Sequence, residues 1–431
     1  MKYYILSFLS IFLISCQIKI NNKKNENVIS IIQYKEKLKG FWLGQCIANM
    51  TGLVTEMDKI GNIGEIKTGK FYTSDDWGKL DQPSIFDPSK PSQLSKNIDF
   101  VFEQNGVWPA DDDTDIEYMY QELLFTNKTA FLTSSQIKNG WQKHIKLEEE
   151  NFLWVSNQRA FDLMNEGILP PETSNPKLNE HYDMIDAQLT TEIFGLLSPS
   201  RPDIALKMAN LPVLTTARDN AKWISDFYIS MHSLAYNIDF SKDIKNEIFS
   251  LAENSRYLLP DSSYSSKMYD FVKKQYDSGV SWEEARDKIY ERYQVNEDDG
   301  YDITSRNLYC NGCFAAGINF AASLISLFWG EGDLKKTIKI GTLMGWDSDN
   351  PTSTWGGLIG FILGKEGIEE EFSKKFSNEY FIHRTRQNFE KSIDNFDNMA
   401  DKGIRIISRL VINELGGSYD IDNQLWYIPV K

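Results

Sequence analysis

Apolar positions along this chain recur mostly at three- and four-residue spacings, the period of helices that bury one face. The pattern predicts helices over 31–44 (IIQYKEKLKGFWLG), 115–125 (DIEYMYQELLF), 203–214, 221–236, 266–279, 281–293, 313–328, 333–345, 354–364 and 397–417. Strict alternation is scarce, and only the C-terminal QLWYIPVK reads as a strand. The stretch from Gly61 to Asn105 is rich in Gly, Pro, Ser and Asp, which predicts an extended surface excursion of the long kind that often carries function. Neither a fixed repeat nor an interdomain linker interrupts the pattern. One large all-α domain over 29–431 is the expectation.

The first sixteen residues follow a different rule. Lys2 precedes an apolar run from Ile5 to Ile14, too short to span a bilayer but matching the hydrophobic region of a secretory signal. Leu13-Ile14-Ser15-Cys16 resembles a bacterial lipobox, so 1–16 is expected to be a lipoprotein signal peptide with Cys16 as the lipidated residue. An ordinary signal peptide with an incidental cysteine is the alternative. The polar segment 17–28 reads as a flexible tether. The protein is then expected to be exported and anchored through Cys16 to a bacterial membrane, on the periplasmic or outer surface.

Of 431 residues, 41% are hydrophobic and 25% charged, an ordinary globular balance. The formal net charge of −15 argues against nucleic acid as a partner, because a polyanion would be repelled rather than steered in. It also hinders an anionic small substrate unless local cations offset it. Cys310 and Cys313 form a CxxC at the start of a small-residue apolar run. The other ligands of a zinc site are missing, and so is the context of a redox motif, which leaves buried thiols or a local disulfide. The four histidines show no ligand spacing, and His232 reads as a hydrogen-bonded core residue.

The chemistry is concentrated in two acidic motifs. Five of the seven residues from Asp111 to Glu117 are acidic. The helix that follows has an apolar stripe at Ile116, Met119, Tyr120, Leu123 and Leu124, and extending it backwards lands on Asp113 and Asp112. Asp115 and Glu117 fall off the stripe and are expected to face water. Asp111 or Asp112 can serve as an N-cap, but capping does not account for three acids in a row with two aimed inward. A hard cation such as Mg²⁺ or Ca²⁺ is the natural remedy. Later, GWDSDNP places Asp347 and Asp349 ahead of Pro351, which suits the first position of a helix and makes Asn350 the expected N-cap. Gly356, Gly360 and Gly364 then offer a smooth face for close helix packing.

With these motifs the chain resembles the ADP-ribosylglycohydrolase family, including its dinitrogenase reductase-activating members. Asp111-Asp112-Asp113-Thr114 is similar to the family's early Thr-Asp-Asp-Thr, and Gly345-Trp346-Asp347-Ser348-Asp349-Asn350 to its late Gly-x-Asp-x-Asp-Thr. The early segment GFWLGQCIANMTGLVTE places Glu56 in the role of the family's glutamate. The resemblance implies an all-α domain of orthogonal helices with two Mg²⁺ ions held by Asp111, Asp112, Asp113, Asp347, Asp349 and Asn350. It implies hydrolysis of an N- or O-glycosidic ADP-ribosyl bond, with Glu56 and Asp113 as catalytic groups. Alternatives are an exported glycoside or nucleoside hydrolase using the same site, and a non-catalytic relative of the crystallin kind. Asp111 and Asn350 depart from the family's threonines, although each still offers an oxygen. In DAQLTTEIFGLLSPSRPD, Gln188 and Arg201 are candidates for substrate contact, with structural roles as the alternative.

Overall fold

The computed structural model describes residues 26–62, 66–82, 97–302 and 312–430. Cys16, the signal segment, most of the tether and Cys310 lie outside the described residues. In chain order the elements are β1 (Glu26–Ser30), α1 (Ile31–Gly52), β2 (Trp108–Pro109), α2 (Asp112–Thr126), α3 (Ser134–His144), α4 (Val155–Asn165), α5 (Ile193–Leu196), α6 (Pro202–Val213), α7 (Asp219–Leu234) and α8 (Ile244–Ser255). There follow α9 (Tyr264–Asp277), α10 (Trp282–Ile289), α11 (Ala316–Gly330), α12 (Leu334–Thr342), α13 (Asp349–Phe372), β3 (Glu379–Phe381), β4 (Asp394–Asn395), α14 (Phe396–Asn413), β5 (Ser418–Asp420) and β6 (Leu425–Pro429). The architecture is all-α, as the periodicity predicts. No helix among the described residues is long and apolar enough to cross a membrane.

The core is organised around α1 and α13, whose facing stretches are buried on all sides. Their backbones touch because both present glycine. A Cβ on Gly44 would lie 2.1 Å from the Gly356 carbonyl oxygen, and one on Gly360 would lie 2.4 Å from that of Gly40. The close approach carries the start of α13 against the end of α1, where a Cβ on Gly52 would lie 2.3 Å from the Asp349 Cα. Glycine pairing thus sets the position of one acidic motif.

Two small sheets were not legible in the sequence apart from β6. In the first, β1 and β5 flank β6 in antiparallel pairs, and β1 takes in Glu26–Val28 from the end of the expected tether. In the second, β2 pairs in parallel with β3, which pairs antiparallel with β4. This second sheet delivers the chain into α2 and lays residues 382–386 beside the α2 N-terminus. The 61–105 excursion is not wholly on the surface: Phe71 and Tyr72 are buried, and Phe71 packs on Trp346 with ring centroids 4.7 Å apart. Four helices, α3, α4, α5 and α8, escape the sequence pattern because they are short or mostly polar. Cys313 is disulfide-bonded and Cys46 is a free, buried thiol.

Candidate metal centre

Strand β2 ends at Pro109, and Asp111 follows as the N-cap of α2, its backbone N–H donating to Thr114 Oγ1 at 3.2 Å. Asp112 and Asp113 are then the first two residues of the helix, beside its positive end. The acids of this motif have different fates. The Arg384 guanidinium lies 2.8 Å from Asp111 Oδ1. Arg386 pairs with Asp115 at 2.8 Å, both side chains having no exposed surface. Glu117 accepts from Gln45 Nε2 and from the Ile193 N–H, each at 2.6 Å.

These contacts correct one expectation. Asp115 and Glu117 do not face water; both are completely buried. The stripe rule assumes a solvent side, and at Asp115 and Glu117 there is none, since protein packs around α2 at both positions. The buried arginine, the amide and the backbone N–H replace water as partners.

The second motif sits in a loop tied to the end of α1. Gly345 and Trp346 both have positive φ (84° and 56°). A Cβ on Gly345 would meet the Lys59 carbonyl oxygen at 2.2 Å, so the close approach needs glycine. The Trp346 N–H donates to Lys59 O (3.0 Å), and the Met57 N–H donates to Trp346 O (2.8 Å). This pair of bonds holds Glu56 beside Asp347. Helix α13 begins at Asp349 with Ser348 as N-cap, so Asn350 is not the cap and Pro351 stands third rather than first in the helix. The earlier start places Asp349 at the positive end of the helix.

Carboxylate oxygens of Glu56, Asp347 and Asp349 come within 4.8 Å of one another, and so do those of Asp111, Asp112 and Asp349. Asp349 belongs to both groups. Asp113 belongs to neither and is held instead by amides: Asn49 Nδ2 donates to its Oδ2 at 2.9 Å, and Asn350 Nδ2 to its Oδ1 at 3.1 Å. Asn49 also donates to Asp349 Oδ2 at 3.2 Å. Asn350 thereby orients Asp113, while its own oxygen accepts from Gln188 Nε2 at 3.3 Å. Gln188 therefore reaches the site through Asn350. Arg201 does not reach it, being tied to Asp203 and to the Pro429 carbonyl. No histidine lines the cleft among the described residues, and His232 shares a 2.8 Å hydrogen bond with the Tyr228 carbonyl in the core.

Burial pushes the carboxyls of Asp112, Asp113, Asp347 and Asp349 well above the ordinary range, and their mutual repulsion adds to it. Glu56 is pushed up to about 8 by burial and then by Asp111. Asp111 Oδ2 and Asp349 Oδ1 are buried with no hydrogen-bond partner. Orphaned carboxylate oxygens in an all-oxygen cluster are the donor set of a hard divalent cation. The residues present fit such an ion.

The acids open into a cleft of about 340 Å³ including its mouth. Glu56, Asp112, Asp113, Asp186, Asp347 and Asp349 line it with Trp154, Val155, Ile185, Leu189 and Phe314.

The sequence profile of the family described as ADP-ribosylglycohydrolase matches residues 31–404. The chain belongs to the ADP-ribosylglycohydrolase family. Among solved structures it is similar to one titled "ADP-ribosylglycohydrolase-related protein complex", with 12% identity, a TM-score of 0.43, and coverage of 87% of this chain and 98% of that one. No curated protein sequence matches it. The ADP-ribosylglycohydrolase family is one of glycohydrolases that typically depend on metal, in keeping with the two carboxylate groups.

Several residues of this ADP-ribosylglycohydrolase site are absent from the sequence reading. Gln45 and Asn49 stand one turn apart in an otherwise apolar stretch of α1, a spacing that marks buried polar partners on one face. Arg384 and Arg386 carry no such signal, since their position depends on the β2–β3 pairing. Asp186, which accepts from the Ser156 hydroxyl (2.6 Å) and from the Ser156 and Asn157 N–H groups (both 3.2 Å), reads locally as an ordinary polar residue.

Proposed function

We propose that the protein is a Mg²⁺-dependent hydrolase of a glycosidic bond, working through two cations. Glu56, Asp347 and Asp349 would hold one, and Asp111, Asp112 and Asp349 the other. The sharing of Asp349 by both oxygen groups carries this reading. Bound Mg²⁺ supplies an acidified water and polarises sugar hydroxyls. In the reaction the C1–N or C1–O bond breaks, the water oxygen joins C1, and a proton reaches the leaving group. Asp113, fixed by Asn49 and Asn350, orients the attacking water and accepts its proton. Glu56, partly exposed in the turn after α1, exchanges a proton between the cleft and solvent.

The family supports an ADP-ribosyl bond as the one cleaved. A second reading, a neutral glycoside or nucleoside, is favoured by the cleft lining: six carboxyls and no Lys or Arg among the described residues. Export and anchoring through Cys16 accompany this second reading, because ADP-ribose donors are chiefly cytoplasmic. Incubation of the purified protein with ADP-ribosylated protein, ADP-ribosyl compounds, nucleosides and simple glycosides, with and without Mg²⁺, tests the proposal. Mg²⁺-dependent release of a free sugar from at least one class is expected. Inactivity on all classes, with Mg²⁺ bound, would favour a non-catalytic relative.

A further inference from the structure

Trp154 is half exposed (50%) and lies on the lining of the acid cleft. An exposed tryptophan on a surface is unremarked by itself, but this one is fixed in place from both sides. Phe152 and Val155 both have positive φ (50° and 33°), a region that costs energy for an aromatic and more for a β-branched residue. Buried polar groups hold the strained segment. Arg386, while paired with Asp115 of α2, also donates to the carbonyls of Asn151 and Phe152. On the other side Asp186 accepts from Ser156 and Asn157 in the first turn of α4. The indole is thus positioned by the same arginine that neutralises an acid of the metal-bearing helix.

Phe314 stands beside it in a stacked arrangement, with ring centroids 6.5 Å apart and planes 15° from parallel, and both rings line the cleft. Aromatic faces carry negative potential and attract the C–H edges of a ring lying against them. Arg384 is committed to Asp111 and to the Phe152 ring, 5.1 Å from its guanidinium. The enclosed space that a water-sized sphere can enter is only about 20 Å³, so a ring held against the indole lies at the cleft mouth.

We propose that Trp154, with Phe314 beside it, is the platform on which this cleft holds the ring of an uncharged glycosidic substrate. The shared chemistry is a neutral ring with an apolar face, either a sugar ring of a simple glycoside or the base of a nucleoside. A diphosphate-bearing substrate is disfavoured, because among the described residues the lining meets its charge with six carboxyls and no arginine or lysine, leaving only the bound cations to offset them. This assignment rests on the hydrolase reading for its placement at the reacting bond, but the ring-stacking claim is tested without turnover.

The test is calorimetric titration of the full chain in saturating Mg²⁺ with methyl β-ribofuranoside, methyl β-glucopyranoside, adenosine and ADP-ribose, repeated on Trp154→Ala and Trp154→Phe. At least one neutral probe should bind more tightly than ADP-ribose, and the glycoside and nucleoside arms identify which ring is taken. Trp154→Ala should weaken that probe about tenfold, the scale of one aromatic stacking contact, and Trp154→Phe should restore most of it. Both variants should keep wild-type Mg²⁺ affinity, which separates lost stacking from lost metal or fold. Tighter binding of ADP-ribose than of every neutral probe, binding of none of the probes, or an unchanged affinity in Trp154→Ala would each overturn the proposal. A neutral probe that binds on Trp154 but is never hydrolysed would instead count against the hydrolase reading and leave this one standing.

Discussion

Asp111 and Asp113 stand two residues apart and are compensated by different means. Asp111 has a guanidinium against one oxygen, whereas Asp113 is met by two amide N–H donors. A cation is therefore needed most where the arginines do not reach, around Asp112, Asp347 and Asp349. Behind this cluster Glu117 and Glu192 are hydrogen-bonded to each other, and burial raises both, Glu192 to about 7. A carboxyl with a raised folded value stabilises the fold below its ordinary value near 4.5, and that contribution is lost as pH rises through about 7. Wild-type stability should therefore fall between about pH 4.5 and 7, by at most about 1.4 kcal/mol per pH unit for one proton. Glu192→Gln, which keeps a neutral hydrogen-bonding group, should flatten this slope in denaturant titrations across that range. An equally steep slope in the variant would show that the pair does not share a proton.

The glycine face of α13 and the ends of α1 show how elements place residues. Gly44→Ala would put a methyl 2.1 Å from the Gly356 carbonyl, forcing the two helices apart. The expected loss is about 1–3 kcal/mol of stability, the usual cost of overpacking, together with weaker Mg²⁺ stabilisation because Asp349 moves with α13. Normal stability with normal Mg²⁺ response would mean that the helices have slack at this contact. The buried Asp115–Arg386 pair joins a second set of elements. Arg386→Leu leaves a carboxylate stranded and should cost about 3–5 kcal/mol. Adding Asp115→Leu should recover part of it, since no carboxylate is then stranded, while the Asn151 and Phe152 carbonyls still lack the Arg386 donor; chemical denaturation of the single and double variants decides. Periodicity made the main helices legible, and spacing made both acid motifs legible, because each depends on residues near in sequence. The orientation of Asp115 and Glu117 was not legible, since it is set by Arg386, Gln45 and Ile193, hundreds or tens of residues away. Trp154 was missed for the same reason: nothing local distinguishes it until α2, α4 and the 382–386 segment come together.

At the scale of the whole molecule, the chain carries a net charge of −15 and gathers part of it in one cleft. Self-repulsion there opposes folding, so a bound divalent cation should contribute stability by mass action, about 2.7 kcal/mol at a hundredfold excess over its dissociation constant. The central claim is that two cations share Asp349. Equilibrium titration with Mn²⁺, read by electron paramagnetic resonance, measures this directly because neighbouring Mn²⁺ ions couple their spins. Two Mn²⁺ per chain with a coupled spectrum, displaced by Mg²⁺, are expected, and the coupled pair should be lost in Asp349→Ala with the helical fold retained. No Mn²⁺ bound per chain, or an unaltered coupled pair in Asp349→Ala, would contradict it.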